Sequence, residues 1–158
     1  CHPRDNIALR WMSDNLGLGY DIFDAIMEAR EIQAQNLAEK LVRTGLENVV
    51  IVGKAYKPHV EYVDGSYSLL VGHYVEKFGV PVYYDDYTGD KPPADLGAAA
   101  YLLAHDPETT FLGCLDPDPD KQEKDIFPEG SIIIDPWRKC PDIKGCTVIH
   151  YGNTRING

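Results

Sequence analysis

Five short apolar runs punctuate the chain: Val49–Val52, Val82–Tyr84, Ala98–Leu103, Ser131–Ile134 and Val148–His150. Helical patterning separates them, most clearly from Ser66 to Phe78, where a glycine at 79 ends the stretch. Strands that are apolar throughout, alternating with helical connections, predict an α/β fold built on an open parallel sheet with flanking helices. Such sheets bind ligands beyond the carboxyl ends of their strands, close to the point where strand order reverses. Tyr56 and Lys57 follow the first run and Arg138 follows the fourth, so all three are expected on that edge.

The residues before the first strand read as helices. Asp5 to Asn15 has helical spacing, and Gly17 and Gly19 then break the chain. From Asp21 to Arg43 the apolar positions Ile22, Ile26, Ala29, Leu37 and Leu41 recur at helical intervals, widened by Ile32, Ala34 and Ala38, and Gly45 closes the run. A helix of about 23 residues is about 35 Å long, the width of a domain. It could be a spine between two lobes or an ordinary core helix on its own sheet. The expected organisation is a helical segment over residues 1–45 and an α/β domain over 46–158.

The opening, Cys1-His2-Pro3-Arg4-Asp5, has the layout of an activated thiol. Asp5 is a suitable N-cap, and Cys1 then lies one turn before a helix N-terminus, where the helix dipole and Arg4 favour the thiolate. From these residues alone, Cys1 reads equally well as an incidental thiol. The turn after the first strand, Gly53-Lys54-Ala55-Tyr56-Lys57, has one glycine followed by bulky side chains, so the G-x-G-x-x-G fingerprint of a dinucleotide site is absent. It offers instead an aromatic face for a base or sugar and an ammonium for phosphate, although from these residues alone packing for Tyr56 and solvation for Lys57 are favoured.

Charge and cysteine usage limit the function classes. A formal net charge of −10 argues against nucleic acid as a partner, because a phosphate backbone calls for a basic face. An anionic ligand would need a local exception, for which Lys54, Lys57 and Arg138 are candidates. The four cysteines form no disulfide framework and, with five residues between Cys140 and Cys146 in place of C-x-x-C spacing, no metal site is expected. Cys114 sits in an apolar stretch and reads as packing, and the acidic stretch Asp116–Asp120 as a solvated loop lacking the glycine and distal glutamate of a calcium site. No apolar run is long enough for a membrane span and no signal-peptide pattern opens the chain, so a cytoplasmic protein is expected.

Three segments together resemble the UDP-glucose/GDP-mannose dehydrogenase family. Cys1, Pro3, Arg4 and Asp5 stand in register with its G-G-x-C-x-P-K-D motif, with arginine for lysine. Val49 to Pro58 looks like its strand followed by G-x-x-F-K-p, with Tyr56 for phenylalanine, and Ile132 to Arg138 resembles its strand ending in D-x-R. The resemblance implies a Rossmann-like domain, a central helix forming a homodimer, and oxidation of a nucleotide sugar's C6 alcohol to a carboxylate with two NAD consumed. It implies that Cys1 is the nucleophile forming the thiohemiacetal and thioester, and that Asp5 positions the hydrolytic water. It also implies that Tyr56, Lys57 and Arg138 bind substrate and that Cys1, His2, Pro3 and Arg4 lie on the cofactor side. NAD itself is expected to be bound mainly by a dinucleotide domain upstream. The chain therefore reads as the back part of a longer protein, inactive alone. One departure is marked: where the family carries an arginine directed to the cofactor in D-x-R-x-S, Tyr62-Val63-Asp64-Gly65-Ser66 carries Asp64.

Overall fold

In the computed structural model, which describes residues 3–86, 89–107 and 127–152, five strands form one sheet in the order β2-β1-β3-β4-β5 with every neighbouring pair parallel. The strands are β1 (Val49–Val52), β2 (Val82–Asp85), β3 (Ala100–Leu103), β4 (Ile132–Asp135) and β5 (Thr147–His150). Three helices are described: α1 (Arg4–Asn15), α2 (Ile22–Val42) and α3 (Tyr67–Lys77). The predicted open parallel sheet with flanking helices is the observed architecture, and each element falls within two residues of its expected bounds.

Local chemistry accounts for most helix ends. Asp21 caps α2, its Oδ1 accepting from the amides of Phe23 at 3.0 Å and Asp24 at 3.1 Å. Ser66 caps α3 by accepting from Ser68 N. The expectation that Asp5 caps α1 is corrected: Pro3 occupies that position without a side-chain cap, and Asp5 lies inside the first turn. A carboxylate in the first turn still favours the helix dipole. It also accepts from Arg4 Nε at 3.0 Å.

The sheet is covered on both faces, which is why its strands do not alternate polar with apolar residues. Val49, Ile51, Ala100, Leu102 and Ile134 pack against α2 and α3, meeting Ala34, Leu37, Ala38, Leu41, Val71 and Val75. On the other face Val50, Tyr101, Leu103 and Ile133 pack with Phe127 and Cys140, and the Phe127 ring meets Tyr101 edge-on at 4.8 Å. The long helix divides along its length. Its buried residues run from Ala34 to Leu41 in the core, while Ile22, Ile26 and Ile32 stay exposed, as do Ile7, Trp11 and Leu16 of the α1 region. Arg10 ties α1 to α2 through Asp21 at 3.4 Å and Asp24 at 2.8 Å. Among the described residues, no helix is long and apolar enough to cross a membrane.

Candidate functional site

The strand order reverses between β1 and β3: the chain steps from β1 out to β2, then returns to the other side of β1. The crevice outside their carboxyl ends is where a sheet of this order accepts a ligand. Its floor is the turn after β1, which neighbouring strands hold from two sides. Asp86, buried just past β2, accepts from the amides of Lys54 at 3.2 Å and Ala55 at 3.0 Å through one carboxylate oxygen. His105, buried past β3, contacts the Ala55 carbonyl through Nε2 at 2.9 Å. A carbonyl only accepts, so Nε2 carries the proton. Ser66 adds a third tie by donating to Lys54 O at 2.8 Å. The turn is thus fixed before any ligand arrives, and Tyr56 and Lys57 stand exposed at its tip.

Gly53 opens this turn at φ +100, and a Cβ built on it would lie 2.5 Å from His105 Nδ1. The glycine therefore makes room for the imidazole. In a dinucleotide fingerprint the same backbone faces a pyrophosphate; here protein fills that space.

Arg138 follows β4 in a tight turn organised by Asp135, which is fully buried. Its carboxylate accepts from the amides of Trp137 at 2.9 Å, Lys139 at 2.7 Å and Cys140 at 2.8 Å, and meets His150 Nδ1 at 3.2 Å. Trp137 Nε1 donates to Leu103 O at 3.0 Å, fastening the turn to β3. Arg138 itself sits at φ 58, a left-handed conformation uncommon outside glycine, asparagine and aspartate. Strain of this kind persists only where the surroundings enforce it, and the bonds to Asp135 supply that enforcement.

The cations differ in availability. Lys54 is paired with Asp90 at 2.6 Å and stands 5.5 Å from the Tyr84 ring centroid, so it is not the free charge that an anion site needs. Lys139 is paired with Asp106. Lys57 and Arg138 are exposed and have no ion-pair partner among the described residues. Both stand at the carboxyl edge, but β3 intervenes between their strands.

Cys1 and His2, expected as nucleophile and cofactor contact, lie outside the described residues, as do Cys114 and the acidic stretch 116–120. Pro3 is described, and it abuts the loop between β1 and α3: a Cβ on Gly65 would fall 2.6 Å from Pro3 Cδ. Asp64 is the exposed neighbour of that glycine. Pro3 and the loop carrying Tyr56 and Lys57 therefore meet, although more than fifty residues separate Pro3 from Tyr56 in sequence.

Beside that meeting point lies an open groove of about 380 Å³, lined by Ile26, Arg30 and Gln33 of α2 and by Tyr56, Gly65 and Tyr67. Arg30 donates to Gly65 O at 3.0 Å and stands 5.9 Å from the Tyr67 ring centroid. Burial pushes the Tyr67 phenol up to about 12, so the ring is neutral at physiological pH. Sequence reasoning missed Arg30 because its helical position shows only that it shares a face with Ile26 and Gln33. The loop opposite comes from residues 56–67.

Fold and site together define an α/β protein with an open parallel sheet, whose carboxyl edge presents Tyr56, Lys57 and Arg138 on hydrogen-bonded turns, the two cations having no ion-pair partner among the described residues. Comparison with protein-family models, with curated proteins and with solved structures found no match to this chain.

Proposed function

We propose that the chain is part of an NAD-dependent nucleotide-sugar 6-dehydrogenase and forms half of its substrate site. The observation that carries this reading is the contact of Pro3 with Gly65, which lies in the loop that also bears Tyr56 and Lys57. In this reading Tyr56 offers a face to the base or sugar, and Lys57 and Arg138 bind phosphate as a point charge and a planar fork. Cys1 attacks the aldehyde-level carbon of the sugar, and Asp5 holds the water that later releases the carboxylate. NAD would accept hydride, held by a domain other than this one because the turn after β1 is filled by His105. The exposed apolar residues of α1 and the first half of α2 suit a homodimer through the helices, and the setting is cytoplasmic.

A second reading is a non-catalytic nucleotide-binding or dimerisation module of the same fold. What favours it is Asp64, a carboxylate where the resembled family directs an arginine to its cofactor. The dehydrogenase and a nucleotide-binding module both require nucleotide binding here, whereas a dimerisation module does not. Calorimetric titration with UDP, UDP-glucose, GDP and GDP-mannose tests that requirement, repeated with Lys57→Ala and Arg138→Ala. Binding that each substitution weakens by about tenfold, the scale of one charge-assisted phosphate contact, supports the site. Binding indifferent to both would remove it from this edge. The isolated chain is expected to reduce no NAD.

A further inference from the structure

We infer that the groove between α2 and the β1–α3 loop is a subsite for an aromatic anion, with Arg30 holding the anion and the Tyr56 and Tyr67 rings flanking the planar group. The inference rests on the nucleotide-sugar reading and names the part of the ligand that this groove takes, the nucleoside monophosphate portion.

Arg30 carries the argument. Its side chain is 12% exposed, yet the one carboxylate within ion-pair distance among the described residues is Glu31, at 3.6 Å. That separation exceeds a good charge-assisted hydrogen bond. The other Glu31 oxygen accepts from Tyr74 OH at 2.7 Å, which draws the carboxylate toward α3. A guanidinium has five N–H donors, and the hydrogen bond to Gly65 O uses one nitrogen. A largely buried cation is stabilised by close pairing and hydrogen bonding. Arg30 has donors left over, and they border a concavity whose other walls are aromatic and apolar.

The groove has the size and lining of a small-molecule site, within the roughly 300–1,000 Å³ such pockets span and mostly apolar with few polar groups. Tyr56 and Tyr67 are both partly exposed there, and Arg30 lies over the Tyr67 ring, so cation and aromatic surface border the same groove. Arginine matches phosphate with a planar fork, and a neutral phenol ring tolerates the adjacent anion where a phenolate would repel it. Ile26 and Ala29 leave an apolar floor. A free phosphate satisfies Arg30 but not the rings, and a nucleoside satisfies the rings but not Arg30. The combination selects a ligand with both.

The test is calorimetric or NMR titration of the 158-residue chain with UMP, uridine and inorganic phosphate, each also run against Arg30→Lys, Tyr67→Leu and Gln33→Glu. UMP is expected to bind more tightly than uridine or phosphate. Arg30→Lys keeps the charge but loses the fork, and Tyr67→Leu keeps apolar bulk but loses the ring; each should weaken UMP several-fold. Gln33→Glu leaves Arg30 in place and adds a carboxylate to the groove wall at an exposed position, so it should weaken UMP by about tenfold and uridine far less. Because Gln33 is exposed, this variant carries the test even if a change at Arg30 disturbs the loop. Equal affinity for UMP and uridine overturns the anion site. UMP binding that ignores all three substitutions yet is lost in Lys57→Ala and Arg138→Ala overturns the groove and leaves the nucleotide-sugar reading standing. No UMP binding at millimolar concentration also overturns the groove, and UDP-glucose titrated in parallel shows whether the wider reading falls with it.

Discussion

Replacing Gly53 by alanine is the sharpest test of how the turn under the site is built. Two costs combine. At φ +100 a side chain enters a backbone region that L residues rarely adopt, and such strain is worth about 1–3 kcal/mol. The new Cβ also lands 2.5 Å from His105 Nδ1, and His105 is buried and bonded to Ala55 O, so it has no free direction in which to retreat. Overpacking of this kind costs about a further 1–3 kcal/mol. Gly79 provides the internal control, because it has φ +81 but open space where a Cβ would go. Gly79→Ala should therefore show the backbone part alone. In thermal melts followed by circular dichroism, a chain of this size loses about 2–4 °C per kcal/mol. Gly53→Ala should melt on the order of 10 °C below the parent and clearly below Gly79→Ala. In Gly53→Ala/His105→Ala the steric part should vanish, leaving a non-additive recovery of about 1–3 kcal/mol relative to the sum of the single changes. If Gly53→Ala melts no lower than Gly79→Ala, or the double variant shows no recovery, His105 does not fill the turn.

Two further outcomes follow from the same edge. Asp135→Asn preserves shape but replaces one accepting oxygen with an NH2 group, which faces either the Trp137 amide or those of Lys139 and Cys140; hydrogen bonds to a charged group being worth about 1.5–3 kcal/mol each, the variant should lose about 2–4 kcal/mol in urea unfolding, and a loss under about 0.5 kcal/mol would show that the carboxylate does not hold the Arg138 turn. Burial pushes the Cys140 thiol up to about 11, with Asp135 adding to the effect. Since the folded value lies above the unfolded one, the thiol's contribution to stability is intact below about pH 9 and is lost as pH rises toward 11. Cys140→Ala should flatten the fall in melting temperature across that interval, and alkylation of Cys140 at pH 8 should be slow until the chain unfolds; rapid labelling of the native protein would contradict its burial.

Much of the architecture was legible in the sequence because its signals are local. The apolar runs locate all five strands, and the helical stretches read from Asp21 and from Ser66 are α2 and α3, which those two residues cap. Gly45 and Gly79 mark helix ends by their positive φ. Tyr56, Lys57 and Arg138 stand at the carboxyl edge as strand direction dictates. Asp5 shows the limit of such rules, since Pro3 takes the flanking position and moves the carboxylate inside the first turn. What only the tertiary structure decided depends on contacts between residues far apart in the chain. Lys54 is paired with Asp90, thirty-six positions later, and the space beside Gly53 is filled by His105, fifty-two positions later. The division of α2 into a buried half and an exposed half follows from where the sheet ends and not from the helix's own periodicity, which runs the full length. Arg30 acquires its setting from Gly65, thirty-five positions later in the sequence. Periodicity and capping act over a turn or two of chain and can be read in order. Charge compensation and burial are set by neighbours in space, and those neighbours are defined only once the strand order β2-β1-β3-β4-β5 has been chosen.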